Sequence, residues 1–138
     1  MQLMFPFDTR WSIFMVKKPI RLAATMLGIV ASLMPAMAQA EQMIWQFKST
    51  DKNAVEFQLY AQNRNNIWPG ITQVYTLKDA KPYRYPITCN RGDNICYGAW
   101  SVVKSTTYWG VGRGNKQKCT DCCYTCGNAN PPLKTLTP

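Results

Sequence analysis

The chain has 138 residues, with sixteen Lys and Arg against seven Asp and Glu, six Cys and no His. The missing imidazole excludes Ser-His-Asp and Cys-His nucleophile pairs and every His-ligated metal site. The length allows one domain with a limited core. The formal charge is +9; the +6 that residues 41–138 carry fits an anionic envelope surface or acidic polymer as partner, and also serves solubility.

From the N-terminus, Lys17, Lys18 and Arg21 precede an almost wholly apolar run over 22–34. Ala36-Met37-Ala38-Gln39-Ala40 then offers Ala-x-Ala twice before the polar Glu41. A charged start, a short apolar run and small residues make the layout of a signal peptide over 1–40. The run is too short for a membrane anchor, which needs roughly 20 apolar residues. Met15-Val16-Lys17-Lys18 would open a compact signal by itself, so Met15 is read as an alternative start. Cleavage after Ala40 would leave residues 41–138 with twelve basic and six acidic side chains, a net charge of +6.

Period-two patterning governs the chain beyond Glu41. Over 54–62, Val55, Phe57, Leu59 and Ala61 alternate with Glu56, Gln58 and Gln62, predicting a half-buried strand with one wet face. Further strands are predicted at 44–48, 73–78, 83–89, 95–103 and 106–111 from their β-branched and aromatic content. Pro86 places the fourth of these six strands at an edge or bulge, because proline brings no ladder donor. Turn residues separate the strands at 50–53, 63–66, 69–70 and 79–82, and 90–94 reads as a hairpin loop. The expected fold is all-β: a small antiparallel sandwich or open barrel of five to six strands with a C-terminal disulfide-rich lobe. The single domain is read over 41–127, and 128–138 as an extended, loosely held tail.

All six cysteines lie beyond the expected signal: Cys89, Cys96, Cys119, Cys122, Cys123 and Cys126. An even count in a short exported chain reads as a disulfide framework. Bonding between the adjacent Cys122 and Cys123 is excluded by ring strain. Pairings that tie Cys89 and Cys96 to the cluster are favoured, since they staple the tail to the sheet. No cofactor is expected. A structural zinc on four of these thiolates competes with the disulfides, and thiol–disulfide exchange at a Cys-x-x-Cys is a third use of the same residues.

No catalytic residues are assigned. Asp51, Asp79 and Asp93 fall in predicted turns, where aspartates cap backbone amides. Gly110-Val-Gly112-Arg-Gly114 lacks the helix of a phosphate loop and reads as a hairpin bend. Arg91-Gly92-Asp93 spells an integrin-type tripeptide, short enough to arise by chance. Among the aromatics, Trp68 beside Pro69-Gly70 is the candidate exposed platform, joined by Tyr60, with Arg64 and Asn65 alongside to hold a sugar ring or peptide.

Asn94-Ile-Cys96-Tyr-Gly-Ala-Trp100, Tyr108-Trp109-Gly110-Val111-Gly112, Trp68-Pro69-Gly70 and the Cys119–Cys126 cluster together resemble a group of small, uncharacterised exported bacterial Cys-rich domains. The resemblance implies one compact, cysteine-stapled bacterial domain; the repeated glycines suggest tight hairpins in which Trp100 and Trp109 pack over bare backbone. It carries no catalytic residue across. The expectation is a non-enzymatic, periplasmic or secreted binding or structural module. Its partner is a protein or glycan of the envelope or exterior, not a nucleic acid, and no membrane span remains after cleavage. The competing classes are a secreted effector or toxin, and a thiol-redox or small hydrolytic enzyme.

Overall fold

The computed structural model describes Met37 and residues 39–138. The charged start and apolar run of the expected signal lie outside the described residues. Nine strands occur among those described: β1 (Ala40–Ser49), β2 (Val55–Ala61), β3 (Ile67–Trp68), β4 (Tyr75–Leu77), β5 (Tyr83–Asn90), β6 (Asn94–Ser101), β7 (Tyr108–Gly110), β8 (Cys123–Thr125) and β9 (Lys134–Leu136). The described residues contain no helix, and so none long and apolar enough to cross a membrane. The six strands expected from periodicity are all present. The short β3, β8 and β9 are additional.

The strands form two open sheets. One has the order β5-β1-β9; the other has β3-β2-β6-β7, with β4 also on β2 and β8 also on β6. Every pairing is antiparallel except β1 with β9. The chain passes from the first sheet to the second after β1, back after β4, across again after β5 and back after β8. The turn at 90–94 is therefore a corner between sheets, not the hairpin its residues suggested. Its turn chemistry is as expected: the Asp93 N–H donates to Asn90 O at 2.9 Å, and Gly92 takes φ of 89°.

Alternation in β1 buries Met43, Trp45 and Phe47. These meet Val55, Phe57 and Leu59 of β2 and Ile95, Tyr97 and Ala99 of β6 in one core. Aromatic rings bridge the sheets: Phe47 lies 4.4 Å from Phe57, and Tyr85 of β5 lies 4.8 Å from both Phe57 and Tyr75. Fully burying a ring such as Phe47 or Phe57 contributes about 1.5–3 kcal/mol. The Trp45 indole N–H is buried without a partner.

Pro86 sits where the sequence placed it, on an edge strand. It faces Ile44, whose N–H turns the other way to Asn130 Oδ1 at 2.9 Å. The ladder therefore asks no donor of position 86.

Two expectations are corrected. The tail is not loosely held: Pro131, Lys134 and Leu136 are buried, and β9 lies in register with Phe47–Ser49. Trp109 Nε1 also donates to Thr137 O at 2.6 Å. Nor is the far face of β2 wet at its centre, where Gln58 and Tyr60 are only 7% and 4% exposed, although Glu56 is partly exposed and Gln62 beyond the strand is exposed. The cause is a bare spot on the neighbouring strand. Gly98 of β6 stands opposite Gln58, and a side chain there would collide with the Gly112 carbonyl and the Tyr60 ring. The segment after β7 lies directly on the sheet at this point, helped by Gly112 at φ of 63°. The Tyr60 ring packs against Gly98.

Candidate functional site

The covered face of β2 positions the candidate site. The Tyr60 hydroxyl accepts the Gly114 N–H at 2.9 Å and donates to Gln58 Oε1 at 2.9 Å. Gln58 Nε2 in turn donates to Gly70 O at 2.9 Å and Gln73 O at 2.7 Å. One polar chain thus joins the 69–74 loop to the 110–117 loop across β2. Burial raises the Tyr60 pKa, against the opposing Gly114 N–H and the charge of Arg113.

Two clefts flank the 62–66 turn, one where it meets both loops and one between Gln62, the 111–120 segment and the cysteine cluster. The smaller, of about 540 Å³, is lined by Tyr60, Arg64, Asn65, Ile67, Ile71 and Asn115, among others. The larger and shallower, of about 760 Å³, includes Gln62, Asn94, Asn115, Lys116, Lys118 and Cys119. Between them stands a reciprocal amide pair. Gln62 Nε2 donates to Asn115 Oδ1 at 3.2 Å, and Asn115 Nδ2 donates to Gln62 Oε1 at 3.1 Å. Asn115 has φ of 59°, a conformation asparagine tolerates better than most side chains.

The structure brings together three of the four sequence-named binding residues. Tyr60, Arg64 and Asn65 line the smaller cleft. Trp68 does not: it pairs with Leu59 across β2 and β3 and packs, half-buried, against the core. The expected exposed platform is therefore absent at Trp68, and Tyr60 is buried rather than exposed. Arg64 is held by the buried Asp93 carboxylate. Asn90, turned to present its amide oxygen, accepts from Arg64 Nη1 at 2.6 Å. Gln62, Asn115, Lys116 and Lys118 were not singled out from sequence. The glycine-rich run before Asn115 was the available signal, since repeated left-handed positions there imply a loop folded back on itself.

The acidic side chains of the described residues are engaged in local structure. Asp51, Asp79 and Asp93 accept the N–H groups of Asn53, Lys81 and Asn90 at 2.8, 2.9 and 3.0 Å, as turn caps do. Asp93 also accepts from Asn63 Nδ2 at 3.3 Å, so the Arg91-Gly92-Asp93 carboxylate faces inward. Glu56 accepts from Trp100 Nε1 at 3.0 Å, and Glu41 pairs with Arg91. Asp121 receives Lys134 Nζ at 3.0 Å and the Tyr124 hydroxyl at 2.8 Å. Lys134 first, then Tyr124, holds the Asp121 carboxyl below its usual range. Burial pulls Lys134 downward, but Tyr124 and Asp121 together raise it.

The cysteines pair as Cys89–Cys126, Cys96–Cys123 and Cys119–Cys122. The first two tie β5 and β6 to the cluster, and the adjacent Cys122 and Cys123 are not bonded to each other. The sulfurs of Cys96, Cys122 and Cys123 lie within 4.8 Å of one another. Zinc would need them as thiolates, which the disulfide form does not offer. In the chain-entropy account, the two long loops, with separations of 37 and 27 residues, give about 4 kcal/mol each. The short Cys119–Cys122 loop, with a separation of 3, gives about 2 kcal/mol. Such a framework fits maturation in an oxidising compartment. No protein-family model, curated protein or solved structure matches the chain.

Proposed function

We propose that the protein is an exported binding module of the bacterial envelope or exterior, and that its ligand is a glycan lying along the paired clefts. The observation carrying this reading is the exposed Gln62–Asn115 amide pair at their junction. Each amide spends one N–H and one lone pair on the other, leaving on one flank of the pair the second Asn115 N–H beside the second Gln62 lone pair, the arrangement that vicinal sugar hydroxyls complement. Ala61, Ile67 and Ile71 give the smaller cleft an apolar wall for the C–H face of a ring. Lys116 and Lys118 border the larger cleft and favour a chain bearing carboxylates or phosphates. The net charge of +6 over 41–138 supports the same choice. The engagement of the acidic side chains of the described residues in caps, ion pairs and the Trp100–Glu56 hydrogen bond supports binding over carboxylate chemistry.

The test is titration of isotopically labelled, oxidised protein with neutral and uronic-acid-bearing oligosaccharides, read at each backbone amide. Saturable shifts centred on Gln62, Asn115 and Lys116 are expected, stronger for the acidic series. Asn115→Asp should weaken binding about tenfold, through one lost donor and added repulsion. No binding to either series, or binding that Asn115→Asp leaves unchanged, would overturn the reading.

A further inference from the structure

The larger cleft contains sulfur as well as amides. Cys96, Cys119 and Cys123 line it beside Lys116, Lys118 and Thr120. We infer that the Cys119–Cys122 disulfide is a thiol–disulfide exchange site, opened by the thiolate of a small or peptidyl thiol that enters this cleft. This activity is separate from glycan binding and does not depend on it.

Accessibility sets the direction of attack. Within the Cys119–Cys122 pair, Cys119 is half-buried at the cleft wall and Cys122 is 1% exposed; Cys123, half-buried on the same wall, is the rival entry point. At this pair an incoming thiolate therefore meets Cys119 Sγ, and the electron pair of the broken S–S bond leaves on Cys122 Sγ. Lys116 and Lys118 on the same cleft supply the electropositive setting that stabilises thiolates. A second thiolate, on the same peptide or on a second small-thiol molecule, then attacks the mixed disulfide at the substrate sulfur, releasing Cys119 as a thiolate. The substrate leaves as a disulfide, having lost two electrons and two protons. The protein is left with Cys119 and Cys122 as thiols.

The surrounding structure permits this opening without unfolding. The main chain at Cys122 is held by the Tyr97 N–H, which donates to Cys122 O at 3.0 Å. Lys134 Nζ holds the preceding residue through Asp121 O and Oδ2, both at 3.0 Å. Neither anchor involves the disulfide. The freed Cys122 sulfur lies 3.5 Å from Cys123 Sγ, close enough to pass the opening on to Cys96–Cys123. Attack on Cys123 Sγ would join adjacent cysteines in a strained ring, which disfavours that route inward and leaves Cys96 Sγ, within 4.8 Å, as the competing target that the mapping of first-opened cysteines must exclude.

The experiment exposes the oxidised protein to graded reduced glutathione, and separately to a reduced peptide carrying two cysteines. Samples are quenched by alkylation and mapped by peptide mass. Alkylation of Cys119 and Cys122 before any other cysteine is expected, with near-UV circular dichroism unchanged. In the Cys122→Ser variant, oxidised glutathione should load Cys119 stoichiometrically. Replacing both Lys116 and Lys118 by Gln should slow the first opening several-fold and move its pH profile upward. Opening with glutathione alone identifies a small-thiol site; opening with both probes identifies a site that also admits peptides. First opening at Cys96–Cys123 or Cys89–Cys126, simultaneous opening of all three with loss of the spectrum, or an unmodified Cys119 in Cys122→Ser would overturn the proposal.

Discussion

The Tyr60 hydroxyl accepts the Gly114 N–H at 2.9 Å, fastening the glycine-rich loop to the second strand from 54 residues away in sequence. The same oxygen donates to Gln58, so one atom holds both the loop that shapes the clefts and the amide that anchors the 69–74 segment. Tyr60→Phe removes both bonds while keeping the ring over Gly98. A loss of about 1–2 kcal/mol is expected, with faster hydrogen exchange at Gly114. Chemical denaturation with amide exchange checks both. An unchanged midpoint would show that the hydroxyl is dispensable.

Gly98→Ala tests the close approach of that loop to the sheet. The added methyl meets the Gly112 carbonyl, a backbone atom that cannot rotate away. The expected cost is about 1–3 kcal/mol, as for overpacking elsewhere. Backbone shifts should concentrate at 110–115 and opposite, at Gln58 and Tyr60. Heteronuclear NMR of the variant reports their location.

Alkaline stability should follow the buried tyrosines. Burial first, then the neighbouring Tyr83, Tyr75 and Asp79, pushes the Tyr85 pKa to about 12 from 10.0. In the unfolded chain this phenol ionises near 10.0, so above that pH the unfolded state releases a proton that the folded state keeps. The stability contribution is therefore complete below pH 10.0, falls as pH rises, and is exhausted above about 12. Denaturation midpoints against pH should show this decline. Tyr85→Phe should make it shallower, leaving the part due to Tyr60, Tyr75 and Tyr97, which burial also raises.

Replacing both Cys89 and Cys126 by Ala should cost about 4 kcal/mol, by the loop the bond closes. Thermal unfolding of the oxidised variant measures the loss. A cost well below that of the Cys119/Cys122 double variant would reverse the ranking drawn from loop length.

The strands were legible because alternation and turn residues act locally. Val55, Phe57 and Leu59 announce a buried face whatever lies beyond them. Which sheet each strand joins depends on contacts such as Phe47 on Phe57, and no local pattern encodes those. The far face of β2 misled for the same reason. Gln58 and Tyr60 look like solvent-facing residues until Gly98 and Gly112 let a distant loop settle on them. Trp68 was drawn toward the surface by its polar neighbours, yet its cross-strand partner Leu59 draws it against the core. Two of the three cysteine pairs followed the logic of stapling the cluster to the sheet. The Gln62–Asn115 pair was invisible, since it joins two loops 53 residues apart.

β1 is the central strand of its sheet, but its two neighbours are β5 and β9. A chain delivered from its N-terminus therefore presents β1 long before residues 134–136 arrive to cover its second edge. Until then Lys48 and Thr50 have unpaired backbone groups on that side. Pairing across such sequence distance is slow, because the entropy of closing the intervening chain is lost before any contact compensates it. The last strand to be made thus acts as a latch, setting the moment at which the first strand stops being an open edge.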